Sequence, residues 1–339
     1  MPENRRKPQS AAIARLLLIA VALILWTNTA VAADDGGSVW GAGYFPNVPL
    51  ISHEGQTVRF FDDMIKDKVV LINFFYSRCP DVCPLETARL REVKRILGDR
   101  VGRDVFMYSI TIDPEYDTPE TIKAYAEKFD VGSGWLFLTG KEADILQVRK
   151  KLAMYREDEP ALSQHGTDLV LGNQGTGQWM MSTPFENPYF LASRIKGLLD
   201  DGKRPPAPEE KKEPAEPPTQ LRPVSKGESI FRTRCSPCHT IGVKEGEPST
   251  QRAIGPDLFG VTEKRDRAWL ERWLAAPDRM LQEKDPLAMA LLAEWNNVPM
   301  PNLRLNAVEI EELLSYIEEE SRAAEQNPPK QPPSIPPIK

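Results

Sequence analysis

Between residues 40 and 200, continuous apolar runs alternate with stretches whose apolar positions recur every three or four residues. VVLINFF, residues 69–75, is the kind of run expected of a strand covered on both faces, and residues 105–112 make a second. Thr118-Pro119-Glu120 supplies an N-cap with proline at the first helical position, and Ile122, Tyr125, Ala126 and Phe129 then form one helical face. A short strand follows at Trp135 to Leu138. LVLGNQGTGQWMM reads as two strands joined by a Gly-rich turn, and Leu191, Ile195 and Leu198 mark a final helix. The alternation predicts an open α/β sandwich.

From about 225 to 325 the periodicity is helical and no strand pattern emerges. Ser225 and Glu228 form a capping box before Ile230 and Phe231. Asn306 and Glu309 have the spacing of a related cap ahead of Ile310, Leu313, Leu314 and Ile317, and WLERWL (269–274) fits a further helix. This predicts a small all-α domain. Residues 201–224 hold seven prolines and few large apolar residues, the composition of a linker, semi-extended at about 3.1 Å per residue. A second Pro-rich stretch, 326–339, reads as a disordered tail.

A chain of 339 residues with 27% charged residues and a net charge of -6 has no basic field with which to hold nucleic acid. Its N-terminus differs from the rest. Arg5, Arg6, Lys7 and Arg15 precede an apolar stretch from Leu16 to Trp26, followed by Ala30-Val31-Ala32. Residues 1–32 therefore read as a signal peptide, because the apolar stretch is too short for a bilayer core that needs about 20 residues, with an uncleaved membrane anchor as the alternative. The expected location is the periplasm, where thiols tend to oxidise.

Of the four cysteines, two lie in CSPCH, residues 235–239. C-x-x-C-H is the attachment pattern of c-type haem: Cys235 and Cys238 would each bond one vinyl group, and His239 would lie under the iron. A buried disulfide and a zinc site are the competing readings, the latter weakened because no second Cys or His pair follows. For the sixth iron position Met300, in the irregular Pro-flanked segment VPMPN, is favoured, with Met280 next and Met289 assigned to the core. The first helix with Gly227 and Phe231, CSPCH, IGPDLFG, VPMP and the last helix with Tyr316 together resemble class I cytochrome c. By that resemblance the Pro256 carbonyl would hold the outer nitrogen of His239, and Gly227, Phe231 and Tyr316 would pack the first helix on the last.

The other pair lies in CPDVCP, residues 79–84, where a buried strand passes into a helix containing Leu90, Val93 and Leu97. A helix N-terminus lowers thiol pKa values, and the i, i+4 spacing has a bite suited to one soft ion such as Cu(I), or to a reversible disulfide. A purely structural staple would remove little chain entropy across so short a loop. A copper ion that changes oxidation state favours an imidazole as third ligand. His53 reads as a solvated turn residue, and for His165, in a polar loop before a strand, the residues alone leave a ligand and a solvated loop histidine both open.

FFYSRCPDVCPLE, ITIDPEYDTPE and His165 ahead of a hairpin resemble the Sco/SenC family. These are thioredoxin-fold proteins that assemble the binuclear copper site of cytochrome c oxidase, and the resemblance spans about 45 to 200. It implies that Cys79, Cys83 and His165 bind copper, with Asp81 between the ligands and Asp113 nearby but not ligating. Gly166 and Gly172-Asn173 stand where the family commonly has Ser or Thr and a hairpin Asp-Pro. The expected fold is thus an α/β thioredoxin-like domain followed by a small all-α cytochrome c domain.

Three functions follow. In the first, an exported copper chaperone exchanges single electrons between its copper, held by Cys79, Cys83 and His165, and one covalent haem c. In the second, Cys79 and Cys83 form a redox-active pair that reduces cysteines of the oxidase. In the third, the cytochrome domain is a docking module. The expected partners are subunit II of cytochrome c oxidase or another copper-receiving protein, a copper donor and a thiol reductant. A haem about 200 mV above a dithiol couple would need roughly 9 kcal/mol to reduce that disulfide, so electrons are expected to run toward the haem.

Overall fold

The computed structural model describes residues 39–157, 166–200, 223–243 and 254–326, nearly all within one compact unit, Trp40–Lys339. The expected signal peptide, most of the linker, the tail beyond residue 326 and His165 lie outside the described residues. Among the described residues, no helix is long and apolar enough to cross a membrane.

The first part of this unit is built on β1 (Pro49–Ser52), β2 (Thr57–Arg59), β3 (Val69–Phe75), β4 (Val105–Thr111), β5 (Trp135–Gly140), β6 (Leu169–Asn173) and β7 (Gln178–Ser182). They form one mixed sheet in the order β2-β1-β5-β4-β3-β6-β7. β3, β4 and β5 run parallel, with Val69 opposite Val105 and Phe75 opposite Thr111, while β1 and β6 pair antiparallel to this centre. Every residue of β3 is buried. Val69, Leu71 and Phe75 face an apolar cluster shared with α1 (Cys83–Leu97), α2 (Pro119–Lys128) and α4 (Pro188–Leu199). Val70, Ile72 and Phe74 face the opposite cluster, which includes α3 (Glu142–Lys151). The strand carries no polar–apolar alternation because both faces are covered, and each such buried side chain contributes about 1.5–3 kcal/mol.

Local signals set the ends of these elements. Thr118 Oγ1 accepts from the Thr121 amide at 3.3 Å to cap α2, with Pro119 following. Gly172 and Asn173 end β6 rather than forming the hairpin turn, and a Cβ at Gly172 would lie 2.2 Å from the Trp179 ring. Periodicity does not disclose β1, β2 and α3: the strands have four and three residues, and only Ile145 and Val148 of α3 are buried.

The second part is helical, without a strand among its described residues. α5 (Lys226–Ile230) continues through a π turn (Phe231–Cys235). α6 (Val261–Lys264), α7 (Arg267–Ala275), α8 (Pro277–Gln282), α9 (Pro286–Glu294) and the long α10 (Ala307–Gln326) follow. Ser225 Oγ accepts from the Glu228 amide at 3.0 Å. Before α10 the box closes both ways: the Asn306 amide donates to Glu309 at 3.1 Å, and the Glu309 amide donates to Asn306 at 3.0 Å. Phe231 meets Tyr316 at 5.7 Å between ring centres, where α5 crosses α10.

Candidate functional site

The cysteine loop lies at the C-terminal end of β3, the edge of a parallel sheet where ligands usually bind. Cys79 closes a turn through its amide to the Tyr76 carbonyl at 3.2 Å, and Cys83 opens α1 with Pro84 behind it. No disulfide joins any of the four cysteines, and both of this pair are buried. The two thiols are hydrogen-bonded to each other. That bond, burial and the neighbouring sulfur together push the Cys83 thiol well above its ordinary value. The lowering expected from the helix N-terminus is therefore outweighed for Cys83, because its partial charge is small beside the bond to Cys79 and the loss of water. Burial, and next a hydrogen bond with Cys79, likewise raise the hydroxyl of Tyr76.

Behind the pair runs a buried polar chain. The Trp135 indole donates to Ser109 at 2.9 Å, Ser109 to Asn73 at 2.7 Å, and Asn73 to Glu86 Oε1 at 3.1 Å. Glu86 is fully buried and its other oxygen has no partner; burial raises its pKa well above the carboxylate range. A second anchor is Asp117, which is also buried. It accepts from the amide and hydroxyl of Ser77 and from Thr111 Oγ1, tying the approach to Cys79 to the end of β4. Asp113 pairs instead with Arg78 at 2.7 Å.

His165, the expected third ligand, lies outside the described residues, and no group of three potential ligands occurs among the described ones. His53 is half-buried rather than solvated. Its amide donates to the Phe137 carbonyl at 2.8 Å and its Nδ1 accepts from the Phe137 amide at 3.2 Å, so β5 occupies it.

In the helical part, Cys235, Cys238, His239, Pro256 and Met300 line one mainly apolar cleft of about 240 Å³. Burial pushes both thiols up to about 12 and lowers His239, which stays neutral. His239 Nδ1 lies 2.8 Å from the Pro256 carbonyl, so Nδ1 carries the proton and Nε2 keeps the lone pair a metal needs. Gly255 permits this placement: a Cβ there would lie 2.5 Å from His239 Cε1. Asn296 and Asn297, both left-handed, turn the chain toward Met300, and Asn302 ties the far side of that loop to Asp278 at 2.8 Å. Met280 is fully buried against Trp273 and Ala288 and does not line the cleft. Met289 is 39% exposed, not core, because α9 turns that position outward.

These residues fit a haem: two thiols, a neutral imidazole and a thioether share an apolar cleft. The buried indole N–H of Trp295, also on its wall, has no protein partner and suits an acceptor on the bound group.

A mixed sheet that presents a thiol pair at a strand-to-helix junction, followed by helices around C-x-x-C-H, defines a thioredoxin-like protein joined to a c-type cytochrome. Residues 46–200 match the SCO1/SenC family model and residues 224–321 the Cytochrome c model. The chain carries a SCO1/SenC domain followed by a cytochrome c domain. Protein sco1 of Schizosaccharomyces pombe is 37% identical over 131 residues, 38% of this chain and 46% of that protein. The chain spans about half the length of the first such relatives. Among solved structures, Bradyrhizobium japonicum ScoI with copper bound is 29% identical, covering 45% of this chain and 99% of that one, with a TM-score of 0.38. The cytochrome c domain of a Pseudomonas putida protein is 52% identical, covering 32% and 99%, with a TM-score of 0.28.

Sequence reasoning missed Tyr76, Glu86, Asp117 and Arg89. Each stands within or beside a quoted motif, but only the fold shows that it is buried and what it bonds.

Proposed function

We propose that this chain is an exported copper chaperone for the binuclear copper site of cytochrome c oxidase, acting in the periplasm, whose tethered cytochrome domain serves the copper and thiol site with single electrons. One copper ion is the cargo, held by Cys79, Cys83 and His165. Cys235 and Cys238 would hold one haem covalently, with His239 and Met300 as its axial ligands. When bound, the haem supplies a one-electron donor or acceptor, which matches copper better than a two-electron disulfide.

The observation that carries this reading is the contact between the two chemistries. Ile254, beside the haem cleft, is buried in the same apolar cluster as Cys79 and Cys83, and Pro84, next to Cys83, lines the cleft with His239 and Met300. Within the copper site, Cys79 is hydrogen-bonded to both Tyr76 and Cys83, Asp117 fixes the loop, and burial disfavours two uncompensated thiolates, so a soft Cu(I) held by both sulfurs would offset their charge. Rapid mixing of Cu(I)-loaded protein with its haem oxidised tests the proposal. Haem reduction at a rate independent of protein concentration is expected, and a haem that stays oxidised refutes it.

A further inference from the structure

The surface around the cysteine loop is partly covered by the helical domain. Arg89, on α1 six residues past Cys83, is 4% exposed. Its guanidinium donates to the main-chain carbonyls of Arg232, at 2.8 Å, and of Thr233, while its other arm pairs with Glu92 at 2.9 Å. Those two carbonyls belong to the π turn leading into the haem-attachment motif, at the negative end of a helix, where a cation is favoured. On the other side of the loop, Arg304, four residues past Met300, pairs with Asp81 at 3.1 Å. Asp81 stands between the two cysteines. Between these polar contacts, Ile254 is buried in the apolar cluster of Cys79 and Cys83, and Cys238 and Val298 pack against that cluster.

The two contacts differ in weight. The Arg304–Asp81 pair is largely solvated, with the arginine side chain 78% exposed, so it selects orientation more than it holds. Arg89 is a buried cation whose charge is met partly by carbonyls of the other domain, so parting the domains exchanges two charge-assisted hydrogen bonds for water.

Resting on the reading of Cys79 and Cys83 as copper ligands, we infer that the cytochrome domain is a competing occupant of the copper face. It docks through Arg89 and the Asp81–Arg304 pair on the surface that a copper-receiving protein must approach. Electron exchange with the haem and transfer of copper to an outside partner then exclude each other, and copper leaves only after the domains part.

The test uses the full haem-loaded chain and reads each domain after changing the other. With copper absent and the thiols reduced, alkylation of Cys79 and Cys83 by iodoacetamide is followed by mass spectrometry. Arg304→Asp, on the cytochrome side, is expected to speed alkylation a few-fold by opening the contact. If the domains stayed docked, the new negative charge beside Asp81 would raise the thiol pKa and slow the reaction, so the sign alone discriminates. Arg89→Ala, on the copper side, is expected to raise amide hydrogen exchange in the segment 231–239 by about tenfold or more, with the segment 122–131 unchanged. In a copper-loaded sample, bathocuproine disulfonate should extract Cu(I) faster from Arg304→Asp than from wild type. Alkylation unchanged or slowed, with no exchange change in 231–239, would overturn the docking inference. Failure of the chain to bind copper while the alkylation and exchange results hold would remove the copper reading and leave the docked pair standing.

Discussion

Gly227 sits on α5 where that helix crosses α10, and replacing it with alanine sets two known effects against each other. A Cβ at this position would lie 2.0 Å from the Glu312 carbonyl oxygen, and 2.8 Å from both the Glu312 carbonyl carbon and Tyr316 Cβ, whereas ordinary contact begins at 3.4 Å. The nearest atoms are main chain, so no rotamer change relieves the clash and the helices must part by about 1.4 Å. That loosens Phe231 against Tyr316 and the buried Ile230. Overpacking of this kind costs about 1–3 kcal/mol, occasionally more. Alanine recovers at most about 1 kcal/mol through helix propensity. We expect Gly227→Ala to lose roughly 1–2 kcal/mol net, which in a domain of about 100 residues lowers the midpoint by about 5–15 °C. Thermal unfolding of the full chain, followed by the visible absorbance of attached haem, measures it. An unchanged or raised midpoint would refute the crossing geometry.

The remaining predictions probe the copper domain. Gly197→Ala is the matched control, since a Cβ there meets nothing within 4 Å on α4; stabilisation of roughly 0.5–1 kcal/mol is expected in urea unfolding, and a loss would contradict the packing. Glu86→Gln tests the buried carboxyl. Its pKa is raised on folding, so wild type holds full stability below the ordinary value of 4.5 and loses it progressively as pH rises toward the folded value. Glutamine can keep the Asn73 bond without that dependence, so the variant should gain on wild type as pH rises above 4.5; parallel pH profiles would count against a neutral Glu86. Asp117→Ala leaves the Ser77 and Thr111 donors unmet, and a loss of about 2–4 kcal/mol is expected in the same urea assay. A loss under 0.5 kcal/mol would show that water replaces it.

Elements whose causes are local were legible in the string of residues. VVLINFF reads as a strand with two covered faces and is one, and Thr118-Pro119, Ser225 with Glu228, and Asn306 with Glu309 each carry their own cap. C-x-x-C-H and C-x-x-x-C were legible because their chemistry depends on spacing along a few residues. Short β1, β2 and weakly patterned α3 were not legible, since pairing with β5 and packing on the sheet, not periodicity, hold them in place. Met300 was already favoured in the string by its irregular Pro-flanked segment, and the fold adds the reason Met280 is out of reach: it is sealed against Trp273, while Met300 lines the cleft. Only the tertiary structure raised the Cys83 thiol, because the bond to Cys79 and burial are properties of the assembled core and override the helix terminus that spacing suggested. And it alone joined Arg89 to carbonyls more than a hundred residues away, a contact that no local pattern encodes because its energy comes from two domains meeting.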